Sequence, residues 1–311
     1  MKISFTTTCM GRIEHLKQTL VENMRGNPSS QDIDVEFCVL DYNSPDGLEE
    51  WIKSDPQMVD AMEAGFLRYG KNHDVEKFHM AHAKNQAKRL ATGEVLCNID
   101  ADNFTGDGFA NYLANVFKKN DQIVVSPSSH TIGELKGGVG GRIAVKREYF
   151  EMLGGYDERF KMWGNEDTDF VRRAKGAGLT NYHIDGHQWL RYIDHDNFAR
   201  IKNMVDERDW GKEIASVERT KEGSTPLQKL MILFKASVCS IQVNDGGKFG
   251  MGRVMVGLDD ELVEFGELPV NKISPVHICA EHWPEFVIGR LLPERRSIES
   301  LYGNDDHGLH I

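Results

Sequence analysis

A short apolar run, Val95-Leu-Cys-Asn-Ile99, ends in two carboxylates one residue apart, Asp100 and Asp102. In an extended strand the side chains alternate between faces, so positions i and i+2 point the same way. The pair would leave a buried strand together at its carboxyl end, where open α/β sheets bind their ligands. Two converging carboxylates suit a divalent cation, and a cation there suits a phosphate-bearing substrate. The pattern needs context to mean this. The chain holds 24 Asp in 311 residues, and three further Asp-x-Asp triplets occur, at Asp32/Asp34, Asp167/Asp169 and Asp194/Asp196. Two other acidic positions supply context. Asp41 follows the apolar run Val35–Leu40, and Glu166 and Asp167 lie in Trp163-Gly-Asn-Glu-Asp-Thr-Asp169, which opens a helix. Each taken alone is better explained as a turn or cap residue, because Asp favours both places.

The elements that must position these groups alternate between strand and helix patterns. Ile3–Thr8 is rich in β-branched residues and leads through Gly11 into a helix from Arg12 to Met24. Val35–Leu40 is a second strand. The turn Asp41-Tyr-Asn-Ser-Pro-Asp-Gly47 follows, with Asp46 placed to cap the next helix, Gly47 to Lys53. Phe66–Tyr69 is a third, short strand. A helix from His79 to Leu90 carries Met80, Ala83, Ala87 and Leu90 at helical spacing. Val95–Ile99, a helix at Phe109–Lys118 and a strand at Ile123–Ser126 come next. After a glycine-rich bend, Gly133 to Gly141, the pattern gives a strand at Arg142–Val145 and a helix from Glu166 to Lys175. Asn197 to Glu222 is highly charged and helical in pattern. This alternation predicts an α/β fold with a mostly parallel sheet covered by helices on both faces. The expected organisation is a main domain over 1–197, a charged helical connector over 198–223 and a carboxyl-terminal extension over 224–311. The extension opens with an apolar helical stretch, Leu227–Val238, and continues in glycine-rich, strand-like pieces.

Composition narrows the function. A net charge of −11 with no basic stripe argues against a nucleic-acid partner. The five cysteines, Cys9, Cys38, Cys97, Cys239 and Cys279, are odd in number and widely spaced, which reads as reduced thiols in a cytoplasmic protein. Lys2–Thr6 has the pattern of a first strand, not of a signal peptide, and no apolar run approaches the length of a membrane span. Met231-Ile-Leu-Phe234 could touch the inner face of a membrane, although short apolar helical runs are more often core.

Three segments in order carry a resemblance: LDYNSPDG, then AHAKNQAKRLATGEVLCNIDADN, then GGVGGRIAVKREYFEMLGGYDERFKMWGNEDTDFVRRAKGAGL. Together they resemble the nucleotide-sugar glycosyltransferases of the GT-A type. The nearest likenesses are the family-2-like bacterial enzymes and the carboxyl-terminal half of the β-1,4-galactosyltransferases. The resemblance spans about Lys2 to Asn197 and makes residues 1–197 a GT-A catalytic domain. It implies that Asp41 accepts a hydrogen bond from the nucleotide base, usually uracil, and that Asn85 lies near the nucleotide and pyrophosphate. Asp100 is implied near the ribose and Asp102 on the metal. Asp167 matches the catalytic base of inverting members, Glu166 beside it a ligand of acceptor or donor hydroxyls, and Trp163 an aromatic wall of the sugar pocket. Thr7, Arg12, Lys84 and Ala101 complete the implied donor-binding set. A histidine after the acidic helix completes the metal site of the galactosyltransferases, and the run Arg191-Tyr-Ile-Asp-His195 favours His195 over His187 and His183. Carboxylate and imidazole together suit Mn2+, with Mg2+ second.

The chemistry implied is a metal-dependent, inverting transfer from a nucleoside-diphosphate sugar, UDP-linked first, to a carbohydrate or lipid-linked acceptor, with cell-surface polysaccharide assembly as the setting by analogy. Departing nucleoside diphosphate builds negative charge that a cation neutralises, and the attacking hydroxyl needs a base. The chain departs from the family pattern in places. Tyr42 replaces a frequent second acidic residue, Lys84 stands where arginine is usual, and Asn165 replaces a glycine, so neither base nor sugar is fixed. Two other readings stay open: a nucleotide-sugar-binding protein without turnover, and a two-carboxylate glycoside hydrolase, which would need neither nucleotide nor metal.

Overall fold

The computed structural model describes residues 1–135, 138–161, 164–184, 186–211 and 241–270. Stretches rich in apolar and β-branched residues make the central strands β1 (Lys2–Cys9), β2 (Asp34–Asp41) and β4 (Val95–Asn98), and β3 (Leu67–Lys71) lies beside β2. Every residue of β2 beyond Asp34 and all of β4 are buried, the signature of strands covered on both faces. A two-residue strand, β5 (Asn103–Phe104), follows β4. Then come β6 (Ile123–Ser126), β7 (Ala144–Lys146), β8 (Thr180–His183), a second two-residue strand, β9 (Arg191–Tyr192), and the hairpin β10 (Gly252–Val256) and β11 (Glu261–Phe265). Nine strands form one sheet in the order β11-β10-β3-β2-β1-β4-β7-β6-β8, and β5 and β9 pair separately. All but β7 and β10 of the large sheet run one way.

Helices α1 (Ile13–Gly26), α2 (Leu48–Ser54), α3 (Pro56–Glu63), α4 (Met80–Leu90) and α5 (Phe109–Lys119) connect the first strands. The later helices are α6 (Ser129–Glu134), α7 (Arg147–Met152), α8 (Glu166–Gly176) and α9 (Asn197–Ile201). Strand alternation sorts the core into two layers. Phe37 and Val39 pack with Leu16 and Leu20 of α1 and with Phe109 and Leu113 of α5. Cys38 and Leu40 point the other way, onto Ala83 and Ala87 of α4, with Phe150 of α7 and Phe170 of α8 in the same layer.

Several boundaries differ from the sequence expectation. Asp46 does not cap α2, because the N-cap position falls on Gly47, at φ 84°. It caps α1 instead: its Oδ2 accepts the Ile13 N–H at 2.8 Å and its Oδ1 the Ser44 hydroxyl at 2.7 Å. Asp46→Ala is therefore expected to cost about 1 kcal/mol, read by urea denaturation. The glycine-rich bend is preceded by a helix, α6, which Ser128 initiates by accepting the Thr131 N–H at 3.0 Å. The helical segment expected from Asn197 is broken after Ile201 and resumes with a 3-10 turn at Glu207–Asp209, and residues 212–222 lie outside the described residues. Residues 241–270, assigned by composition to the extension, add β10 beside β3 in the main sheet. Among the described residues no helix is long and apolar enough to cross a membrane. Leu227–Val238, with Met231–Phe234, lies outside them, as do Cys239 and Cys279. Cys9, Cys38 and Cys97 are free and buried.

Candidate active site

Strand β4 ends at Asn98, and the chain turns through Asp100-Ala101-Asp102, with the Asn103 N–H donating to the Asp100 carbonyl at 2.9 Å. Alternation therefore stops short of the two aspartates, and each finds its own surroundings. Asp102 is fixed by the small ladder beyond it. Asn103 of β5 opposes Tyr192 of β9, and the Ile193 N–H donates to the Asp102 carbonyl at 2.8 Å. This ladder carries His195 across so that its Nε2 lies 2.6 Å from Asp102 Oδ2. The other carboxylate oxygen accepts from Asn103 Nδ2 at 2.9 Å, and Arg12 Nη1 stands 3.7 Å from Oδ2. Burial pushes the Asp102 carboxyl up, but the His195 hydrogen bond and the Arg12 charge outweigh it and hold it below the ordinary range. His195 Nδ1 lies 3.1 Å from the Asp196 carbonyl. A ring nitrogen donating to a carbonyl is how a metal-ligating histidine is oriented.

Asp102 and His195 fit a cation site as a two-ligand corner, carboxylate beside imidazole, each side chain about a tenth exposed. Among the described residues no three His, Cys, Asp or Glu side chains converge as a complete cage. His187 instead lies 3.2 Å from Glu134, and His183 ends β8. His15 of α1, which sequence reasoning passed over, brings its ring to 5.8 Å from that of His195.

A second cluster forms where α8 begins. Asn165 adopts φ 73°, a left-handed conformation that asparagine tolerates, and Glu166 and Asp167 fill the first turn. The partial positive charge of a helix amino terminus favours carboxylates there. Lys84 of α4 meets both: its Nζ lies 2.8 Å from Glu166 Oε1 and 2.9 Å from each oxygen of Asp167. Lys84 and Glu166 are each 2% exposed, whereas the Asp167 side chain is 21% exposed. Burial and then the Glu166 charge push the Asp167 carboxyl up to about 7, against the opposing pull of Lys84. Burial lowers the Lys84 ammonium, yet Asp167 and Glu166 hold it well above its ordinary value. Glu166 Oε2 is buried and finds no hydrogen-bond partner among the described residues.

Removing Lys84 leaves two like charges buried together. Lys84→Met is expected to cost about 3 kcal/mol at pH 8. A carboxyl whose folded pKa lies above its unfolded one stabilises the fold only while protonated, and that stability is lost as pH rises through the folded value. The defect should therefore shrink at pH 5, which denaturant titrations at the two pH values would reveal.

The remaining expected residues fall into two sets. Asp100 lies with the acidic groups, since its charge acts on both Lys84 and Asp167. Its Oδ1 accepts from Asn98 Nδ2 at 2.9 Å, and a Cβ at Gly141 would lie only 2.6 Å from its Oδ2. Arg12 belongs with Asp102 and also donates to the Ala199 carbonyl at 2.8 Å. The Ala101 carbonyl is tied to α1 by Thr19 Oγ1 at 2.7 Å. Asp41, Asn85 and Thr7 turn inward. Asp41 is fully buried, accepting from the Ser44 N–H at 2.6 Å and the Tyr69 hydroxyl at 2.8 Å. Asn85 is fully buried and pins the segment after α7, donating to the Tyr156 carbonyl and to Glu158, each at 2.8 Å. Thr7 is buried within β1. Trp163 lies outside the described residues.

Sequence reasoning missed Asn98, Arg142 and Lys88. Arg142 is fully buried and tethers β5, with Nη1 2.9 Å from the Phe104 carbonyl and Nη2 3.0 Å from Asn103 Oδ1. Lys88 lies one helical turn beyond Lys84, and burial together with the Lys84 charge lowers its ammonium to about 7. The available signal was polarity itself: an asparagine inside an apolar strand and two lysines four apart on a buried helix face.

Residues 123–203 match the family model described as the N-terminal domain of galactosyltransferase. Beta-1,4-galactosyltransferase 7 of Mus musculus is 36% identical over 85 residues, 26% of this chain and 26% of the mouse protein. Polypeptide N-acetylgalactosaminyltransferase 8 of Drosophila melanogaster is 33% identical over 133 residues, 37% of this chain and 22% of the fly protein. The chain thus spans about a quarter of the length of the curated relatives it matches. A mannosyltransferase from Pyrobaculum calidifontis, solved in complex with GDP-Man and Mn2+, superposes with a TM-score of 0.50 at 19% identity, covering 76% of this chain and 68% of that one. The fold is of the GT-A type. Within this GT-A fold, the galactosyltransferase-like segment runs from β6 to the turn after α9. It contains Glu166, Asp167 and His195, while Lys84, Asp100 and Asp102 come from the chain before it.

Proposed function

We propose that this protein is a metal-dependent, inverting glycosyltransferase that moves a sugar from a nucleoside-diphosphate sugar to a hydroxyl acceptor. The observation that carries the reading is the Lys84–Glu166–Asp167 cluster, which keeps a partly exposed carboxylate near neutral proton affinity in the field of Asp100. A base of that affinity suits proton abstraction near pH 7. The acceptor hydroxyl proton passes to Asp167 as its oxygen bonds to the anomeric carbon. The bond from that carbon to the phosphate oxygen breaks on the opposite side, and the nucleoside diphosphate leaves. One base opposite the leaving group gives inversion. Asp102 and His195 would hold Mn2+ or Mg2+, which when bound supplies Lewis-acid neutralisation of the pyrophosphate charge. Arg12, 3.7 Å from Asp102, adds a fixed positive charge beside it. Asp100 meets the ribose, and Asp41 shapes the turn against which the base rests.

A hydrolase finds less support. Its two carboxylates must flank a sugar, whereas here Glu166 and Asp167 converge on one ammonium. UDP is the first donor nucleotide to test and GDP the second, since the archaeal neighbour was solved with GDP-Man. Calorimetric titration of each nucleotide, with Mn2+ and then with EDTA, tests the donor and metal parts of the reading. Binding that requires Mn2+ supports the proposal, and no binding of either nucleotide overturns it. Thermal-shift screening of nucleotide sugars with Mn2+ would then identify the donor. Product formation with that donor separates an enzyme from a binding protein.

A further inference from the structure

Thr6 of β1 and Asn98 of β4 are register partners, so their side chains leave the two central strands on the same face. Both are buried, and Lys88 of α4 reaches between them. Its Nζ lies 3.3 Å from Thr6 Oγ1 and 3.4 Å from Asn98 Oδ1. The rings of Tyr156 and Phe150 lie 4.9 and 5.6 Å from the same ammonium. Lys88 is 2% exposed, and among the described residues no carboxylate forms an ion pair with it. An ammonium buried against neutral oxygens is costly, and an apolar side chain of similar length would fill the space at less cost.

What the lysine supplies is direction. Lys88 can donate in either protonation state, and its donation to the Asn98 amide oxygen leaves the NH2 turned the other way. That NH2 donates to Asp100 Oδ1 and to the Gly141 carbonyl, each at 2.9 Å. Gly141 is the residue with no room for a Cβ beside Asp100. One orientation of one amide thus sets both the Asp100 carboxylate and the backbone packed against it.

We propose that Lys88 is a positioning residue of the donor site, fixing the Asn98 amide so that it orients Asp100 and holds Gly141 beside it. The consequence for binding rests on the functional reading above, in which Asp100 meets the nucleotide ribose. The orientation of the amide does not.

The test therefore has two readouts on the full chain. Side-chain amide NMR, with the Asn98 signal identified by its loss in Asn98→Leu, reports whether that NH2 is protected from hydrogen exchange. It should be protected in the wild type and lose protection about tenfold or more in Lys88→Met. Calorimetry with UDP and Mn2+ should show about tenfold weaker binding in Lys88→Met and in Asn98→Leu, with the double variant no weaker than either. An Asn98 signal indifferent to Lys88→Met, or additive losses in the double variant, would overturn the proposal. A wild-type protein that binds neither UDP nor GDP would overturn the donor reading, and the amide signal would still decide the role of Lys88.

Discussion

Transfer by the Asp167→Asn variant is expected to fall about a thousandfold while the protein stays folded and still binds donor nucleotide. Asparagine keeps the shape and an oxygen for Lys84 but cannot take up a proton at neutral pH. It also relieves the like-charge contact with Glu166, so stability near neutral pH should hold or rise slightly. The wild-type rate should climb with pH and level off above about 7, because only the ionised carboxylate accepts a proton and burial beside Glu166 raises its affinity to that range. The variant should show a small residual rate without that limb. Near-normal transfer by Asp167→Asn, with a matched donor and acceptor, would remove Asp167 from the mechanism.

Asp102→Ala should act at a different stage. Mn2+-dependent nucleotide binding is expected to weaken more than about 100-fold, since the proposed site loses its carboxylate and His195 loses the partner that steadies it. Unlike Asp167→Asn, this change should abolish the difference between titrations with Mn2+ and with EDTA. It also has a stability signature. The folded-state pKa of Asp102 is depressed, so its contribution is present above the unfolded value and lost as pH falls through the folded one. The variant should therefore be less stable than wild type near pH 7, by about 1–3 kcal/mol. The gap should narrow in acid. Unchanged Mn2+ dependence in a folded Asp102→Ala protein would sink the metal assignment.

The central strands could be read directly, because a strand buried on both faces is written with apolar residues on both, as at Phe37-Cys-Val-Leu40. Helix α4 was equally plain from Met80, Ala83, Ala87 and Leu90 at helical spacing. What could not be read was the use made of polar residues within those elements. Asn85 sits next to Lys84 in sequence, yet helical geometry turns it to a different face, where it anchors Tyr156. Asp41 ends its strand as expected, but Tyr69 and Ser44 occupy its oxygens. The meeting of Asp102 with His195 spans 93 residues and depends on a ladder of two residues per strand, too short for any periodicity. Resemblance to a family pointed to that histidine, whereas hydrophobic pattern could not. Asn98 was invisible because a lone polar residue in an apolar strand reads as an exception to the pattern, and Lys88 because it is one of several polar residues along α4 and the sequence does not say which of them are buried.

The β10–β11 hairpin has a consequence for how the protein is made. It completes the sheet edge beside β3, and the segment leading into it secures the site from behind. The Ile241 carbonyl accepts from Arg173, Asn244 donates to the carbonyls of Gly154 and Tyr156, and the Gly250 N–H reaches Glu158. A ribosome will have delivered Asp102, Asp167 and His195 on the order of several seconds before Phe249 and Phe265 emerge. During that interval the nascent chain lacks Phe249, whose ring meets Phe150 edge-on in the finished fold. Closure of the apolar layer around Phe150 by the hairpin and the segment leading into it therefore follows synthesis of the rest of the sheet.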